Sequence, residues 1–205
     1  MNFQELLKNA KGHLEVVKLY DDHEEVVFSD HNVICSGLAA NMAAMYSSSG
    51  LDVSSYQMNI FQLGEGTDAT IGDTVVPNVL QTPLDWSSYG ENALMALDKT
   101  TGTLQDLSDA SLSTGEAFLV LPQTYVDKVN DSTVRWNLHV DENTANGQTL
   151  TEIGLFTNNP FEKDLTAEER ITWICAYRFF GDPSTGQGIY KTQHFALVFK
   201  WTIQF

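Results

Sequence analysis

Glu152 is the residue whose surroundings most demand an explanation. It sits in Leu150-Thr151-Glu152-Ile153-Gly154-Leu155-Phe156, a run with no other charge. An ionised carboxylate there must reach solvent or find partners, because burying it unpaired is costly. Two chemistries fit: a catalytic acid, or a structural carboxylate hydrogen-bonded to a turn or paired with Lys or Arg. The structural role is the expectation. A glycosidase would need two carboxylates facing one cleft, and with 27 acidic residues in the chain no pair stands out.

Other chemistry-bearing residues form no recognised constellation. Gly64-Glu65-Gly66 follows a strand-like run, but no third glycine completes a dinucleotide site and no Gly-Lys-Ser/Thr follows for a phosphate loop. The acidic Glu65 between the glycines would repel phosphate. Asp68 and Asp73 do not match calcium-loop spacing. His13, His23, His31, His139 and His194 form neither HxH nor HExxH, so no metal site is expected. Ser36-Gly37 and Ser113-Thr114-Gly115 do not supply the GxSxG of a serine hydrolase. Cys35 and Cys175 lie among apolar residues and read as two buried free thiols, with a disulfide between them left open. Catalytic, cofactor-binding and metal-ligating residues are therefore all given as none, and no enzyme activity is expected.

Composition narrows the partners. The 27 acidic against 11 basic residues give a formal net charge of -16. That charge argues against nucleic acid, which needs clustered Lys and Arg, and against an anionic membrane surface. It favours solubility. Hydrophobic residues at 42% and aromatics at 11% are enough for a substantial core. The N-terminal residues lack the pattern of a secretory signal, and no run is long and apolar enough for a membrane span. The expectation is a soluble chain.

The elements that must position these residues read as mainly β: an antiparallel β-sandwich-like domain with one packed α-helix and long loops, a single domain over 1–205 with a loop-rich excursion at about 67–130. Phe3 to Ala10 is a short helix candidate. His13 to Tyr20 and Glu24 to Phe28 read as a hairpin around Asp21-Asp22-His23. Asn32 to about Tyr46 is the best helix, with Ile34, Leu38, Met42 and Met45 at helical spacing and Ala39, Ala40, Ala43 and Ala44 on other faces. Tyr56 to Leu63 and Glu116 to Leu121 read as strands. Val134, Trp136, Leu138 and Val140 alternate with polar residues, Asn146-Gly147 marks a turn, and Leu150 to Thr157 reads as the returning strand. Thr166 to Arg170 adds a helical turn, and Ile171 to Phe180 is a strand buried on both faces. From His194 to Phe205 every odd position is apolar, including Phe199, Trp201, Ile203 and Phe205.

Four short islands carry a resemblance. They are Asn32-Val33-Ile34 with Gly37-Leu38-Ala39; Phe61-Gln62-Leu63-Gly64-Glu65-Gly66-Thr67; Thr151-Glu152-Ile153-Gly154-Leu155-Phe156; and Lys191-Thr192 with Phe199-Lys200-Trp201-Thr202-Ile203. In this order they resemble a family of bacteriophage virion proteins described as tail fibre, baseplate or neck components. The chain departs from the family pattern in longer loops at Gly72 to Gly115 and Asn158 to Glu169.

The resemblance implies a structural particle component, made in the host bacterial cytoplasm and resident in the virion. Its partners would be itself, as a homo-oligomer, and other virion proteins, with no nucleic acid and no membrane. Ile34, Leu38, Met42, Met45, Phe199, Trp201, Ile203 and Phe205 are the core or interface candidates, and Trp86 and Tyr89 the loop contacts. Two rival readings stand beside it. One is a carbohydrate-binding module that attaches to a host glycan through Trp86 and Tyr89. The other is a tail-associated polysaccharide hydrolase.

Overall fold

The computed structural model describes residues 10–47, 56–72, 77, 79–89, 95–98, 103–106, 117–157, 174–182, 185 and 187–205. The expected helix before Ala10, the loop from Asn158 to Glu169 and the helical turn at 166–170 lie outside the described residues. The fold is mainly β, a curled antiparallel sheet with one major packed helix.

The sheet is built around β1 (Lys11–Leu19), β2 (Glu24–Ile34) and the C-terminal strand β13 (Ala196–Gln204). β1 pairs with β2 on one side and β13 on the other, Leu14 opposite Trp201 and Val16 opposite Phe199. β13 continues to β8 (Thr133–Val140), with Trp201 opposite Trp136, and β8 to β7 (Val126–Asn130). In the other direction the end of β2 pairs with β11 (Ile174–Phe179), β11 with β10 (Glu152–Phe156), and β10 with β3 (Ile60–Gly64). β6 (Ala117–Val120), β4 (Met95–Asp98) and β5 (Thr103–Asp106) complete this side. A separate two-stranded sheet joins β9 (Thr149–Leu150) to β12 (Ile189–Tyr190).

β2 turns the corner between the two halves. Its length is paired with β1, while Val33 and Ile34 already pair with β11. The sheet curls until its halves face each other: the Phe61 and Trp201 rings lie 6.2 Å apart, and Phe180 and Phe199 5.8 Å apart. The period-two pattern of β13 drives this closure. Phe199, Trp201 and Ile203 are fully buried, each contributing about 1.5–3 kcal/mol of apolar burial, and Phe205 packs partly buried at the edge of the same core.

Three sequence expectations change. The helix α1 covers Ser36–Ser47, not Asn32 onward, because the β-branched Val33-Ile34 pair stays extended at the end of β2. Ile34 is therefore a half-buried strand residue. Of the proposed stripe only Leu38 is buried; Met42 is half-buried and Met45 exposed. Second, Asn146-Gly147 turns the chain, with Ala145 and Gly147 both at positive φ, but no hairpin follows. β8 pairs with β13 and β7, and the chain beyond the turn crosses to the other half of the sheet. Third, the loop-rich excursion contributes β4 and β5 to the main sheet, next to the strand expected at Glu116 to Leu121, which forms as β6.

Candidate functional site

The glycine turn after β3, the Glu152 strand and the Lys-Thr pair, distant in sequence, converge on neighbouring parts of the fold. Glu152 is fully buried at the start of β10, opposite Gly64 on β3. Its Oε1 accepts a hydrogen bond from the Thr82 backbone N–H at 2.8 Å. Its Oε2 accepts from the Gln81 N–H at 3.1 Å and from the Tyr177 hydroxyl at 2.8 Å. The carboxylate thus holds Gln81 and Thr82 against the sheet, the structural role expected of it. Tyr177 also accepts a 3.0 Å bond from Gln81 Nε2, which in turn donates to the Asp68 carbonyl. Burial, and then the Glu152 charge, push the Tyr177 phenol well above its ordinary range.

The glycines make room for this carboxylate. A Cβ on Gly64 would lie 2.5 Å from Glu152 Oε1 and 2.7 Å from the Thr82 carbonyl oxygen, and one on Gly66 2.8 Å from Glu152. Their role is close approach, not phosphate binding. Glu65, between them, accepts the Thr149 N–H at 2.7 Å. Thr151 donates its hydroxyl to the Gly66 carbonyl at 2.6 Å and its N–H to the Gly64 carbonyl at 3.0 Å. Asp68 accepts from the Thr70 N–H and hydroxyl, which lowers its carboxyl pKa. Asp73 lies outside the described residues.

Lys191 closes the neighbouring loop. It is buried, and its ammonium donates to the Glu142 and Thr192 carbonyls at 3.3 and 2.8 Å and to Asn146 Oδ1 at 3.2 Å, above the Phe195 ring. Backbone bonds between Lys191 and both Gly147 and Gln148 tie the 141–148 turn to this strand. Burial lowers the Lys191 pKa, partly offset by the charges of Asp141 and Glu142. Sequence reasoning gave the Lys-Thr pair no role beyond its place in the resemblance.

The remaining candidates fall in several places. Tyr89, expected as an exposed contact, is buried in the core: its hydroxyl accepts the Leu63 N–H at 3.2 Å. Trp86 opens a single helical turn, Trp86–Tyr89, with its side chain outside the described atoms. Cys35 and Cys175 are buried thiols not joined by a disulfide, and a 2.9 Å backbone bond runs from the Cys35 N–H to the Cys175 carbonyl. Burial pushes the Cys35 thiol up to about 12 and Cys175 well above the ordinary value. Among the described residues no group of three His, Cys, Asp or Glu converges to hold a metal, and no helix is long and apolar enough to cross a membrane.

The arrangement does structural work: residues 81–82 and the 141–148 turn are held in place through two buried side chains, Glu152 and Lys191. No protein-family model, curated protein or solved structure matches the chain.

Proposed function

We propose that this protein is a structural component of a bacteriophage particle, in the tail, baseplate or neck, that assembles through contacts between its own copies. Two features support the reading. Three of the islands that carry the resemblance place residues, Gly64 to Gly66, Thr151-Glu152 and Lys191, in hydrogen bonds internal to the fold, and α1 has the composition of a contact surface. The second carries the argument. The twelve residues Ser36–Ser47 contain no charge in a chain of net charge -16. Only Gly37, Leu38 and Asn41 are buried, while Met45 is 38% and Tyr46 77% exposed. A solvated helix ordinarily carries charge on its outer face. A symmetric self-contact sets every charge of a face against its own copy, and this face brings none.

The β7 edge is a poor alternative. It carries Asp127 and Lys128 and a register break at Val129, three devices that discourage strand addition. We place the second copy against the uncharged face of α1. Light scattering on the purified chain tests this: a stable symmetric oligomer is expected, converted to monomer by Ala43→Glu or Met45→Glu with the circular dichroism unchanged. A parent protein that stays monomeric at high concentration overturns the self-assembly reading.

A further inference from the structure

On the outer face of the sheet, His13 of β1 and His31 of β2 stand directly opposite each other. Opposed residues of an antiparallel pair have neighbouring side chains on the same face. Both are exposed, and their ring centroids lie 6.1 Å apart at an interplanar angle of 74°. A metal bound at about 2.1 Å by one nitrogen of each of two imidazoles requires ring centres roughly 5–6 Å apart. The two rings stand close to that separation already.

A second contact supports the same ring. Metal-ligating imidazoles ordinarily donate their other nitrogen to an oxygen, which fixes the tautomer and the orientation. Ser29 Oγ lies 3.1 Å from His13 Nε2, which leaves Nδ1 of that ring for a ligand bond. The nearest carboxylates on the neighbouring registers are engaged elsewhere: Glu15 with Lys200 at 2.9 Å and Asp30 with Arg178 at 2.6 Å. Thr202, opposite His13 on β13, adds only a hydroxyl.

We infer that His13 and His31 form a bidentate site for a late first-row divalent ion of the copper, nickel or zinc type. The remaining coordination positions open to solvent or to a ligand from a second molecule. Imidazole suits these ions, and copper binds most tightly in the series. Because the pair is assembled only when β1 and β2 are paired, the ion binds the folded chain and stabilises it.

The test uses Cu²⁺ and the full chain. One equivalent is expected to bind with the paramagnetic resonance signature of two imidazole nitrogens and to raise the melting temperature. His13→Ala or His31→Ala should each weaken binding roughly tenfold or more and abolish the thermal shift. His139→Ala, exposed on β8, should leave both unchanged. The inference is overturned if the double variant His13→Ala/His31→Ala binds Cu²⁺ as tightly as the parent, or if His139→Ala weakens binding as much as either single change. Both variants are surface substitutions, and unaltered melting without metal confirms that they fold.

Discussion

Tyr177 donates a 2.8 Å hydrogen bond to Glu152 across the β10–β11 pair, and the same carboxylate receives two backbone N–H groups from residues 81 and 82. Among the described residues three donors, and no cation within salt-bridge distance, surround this buried charge. It is a carboxylate held by dipoles, and its removal strands all three donors.

Glu152→Ala should therefore cost about 3–5 kcal/mol, the range for breaking a buried charged network. Glu152→Gln should recover little, because its amide nitrogen turns a donor toward donors. Tyr177→Phe should cost about 1–3 kcal/mol. Urea unfolding measures each, and the double variant should fall well short of additivity. Full additivity would show that the two residues act separately.

Gly64→Ala should destabilise by roughly 1–3 kcal/mol through overpacking, since the new methyl meets both Glu152 and the Thr82 backbone. Gly147→Ala meets nothing within 4 Å but sits at φ 87°, so its cost is conformational, about 1 kcal/mol. Thermal melts of the two variants separate crowding from backbone strain. In Gly64→Ala combined with Glu152→Ala the crowding part should shrink.

Lys191→Met should cost about 1–3 kcal/mol, because it removes the buried donor shared by the Glu142 and Thr192 carbonyls and Asn146 Oδ1. The folded-state pKa of Lys191 lies below its unfolded value. Between the two, in the alkaline window below 10.5, the unfolded chain holds a proton the native chain has released, so this group's contribution to stability rises with pH. The gap between parent and Lys191→Met in urea midpoint should accordingly widen as pH rises through that window. A gap that is flat or narrows with pH contradicts the assignment.

Cys35 and Cys175 should be silent toward a thiol-specific reagent in the native state, because burial both blocks access and raises their pKa, Cys35 to about 12. Two equivalents should react at once in denaturant. Rapid native labelling of either would show that the layer between α1 and β11 opens readily.

Where one face of an element is wet and the other dry, the sequence was legible. The β1–β2 hairpin follows from two strand-like runs around the polar turn Asp21-Asp22-His23, β13 from apolar alternation, and the solitary charge of Glu152 announced a structural carboxylate. What it would hold was not legible, because its partners are backbone N–H groups at Gln81 and Thr82, which have no sequence signature. The start of α1 was misplaced because Ile34 fits a helical stripe and a strand end equally well; pairing with Ala176 decided it. Asn146-Gly147 signalled a turn correctly, but a turn does not say which strand comes next. Lys191 offered a motif without a reason, since three of its contacts lie in a loop some forty residues earlier or in the next peptide unit.

The pairing of β1 with β13, Lys11 opposite Gln204, also bears on how the chain reaches this state. Nearly the whole described chain separates the two strands, and pairings so distant make folding slow. During synthesis β1 leaves the ribosome long before β13 exists, with Leu14, Val16 and Val17 facing a core that is not yet there. For that interval it has β2 alone as a neighbour, and a two-stranded ribbon is marginal in water. The nascent chain is thus open to aggregation until its last strand emerges, and its yield on expression should respond to synthesis rate and chaperone supply more than its final stability would suggest.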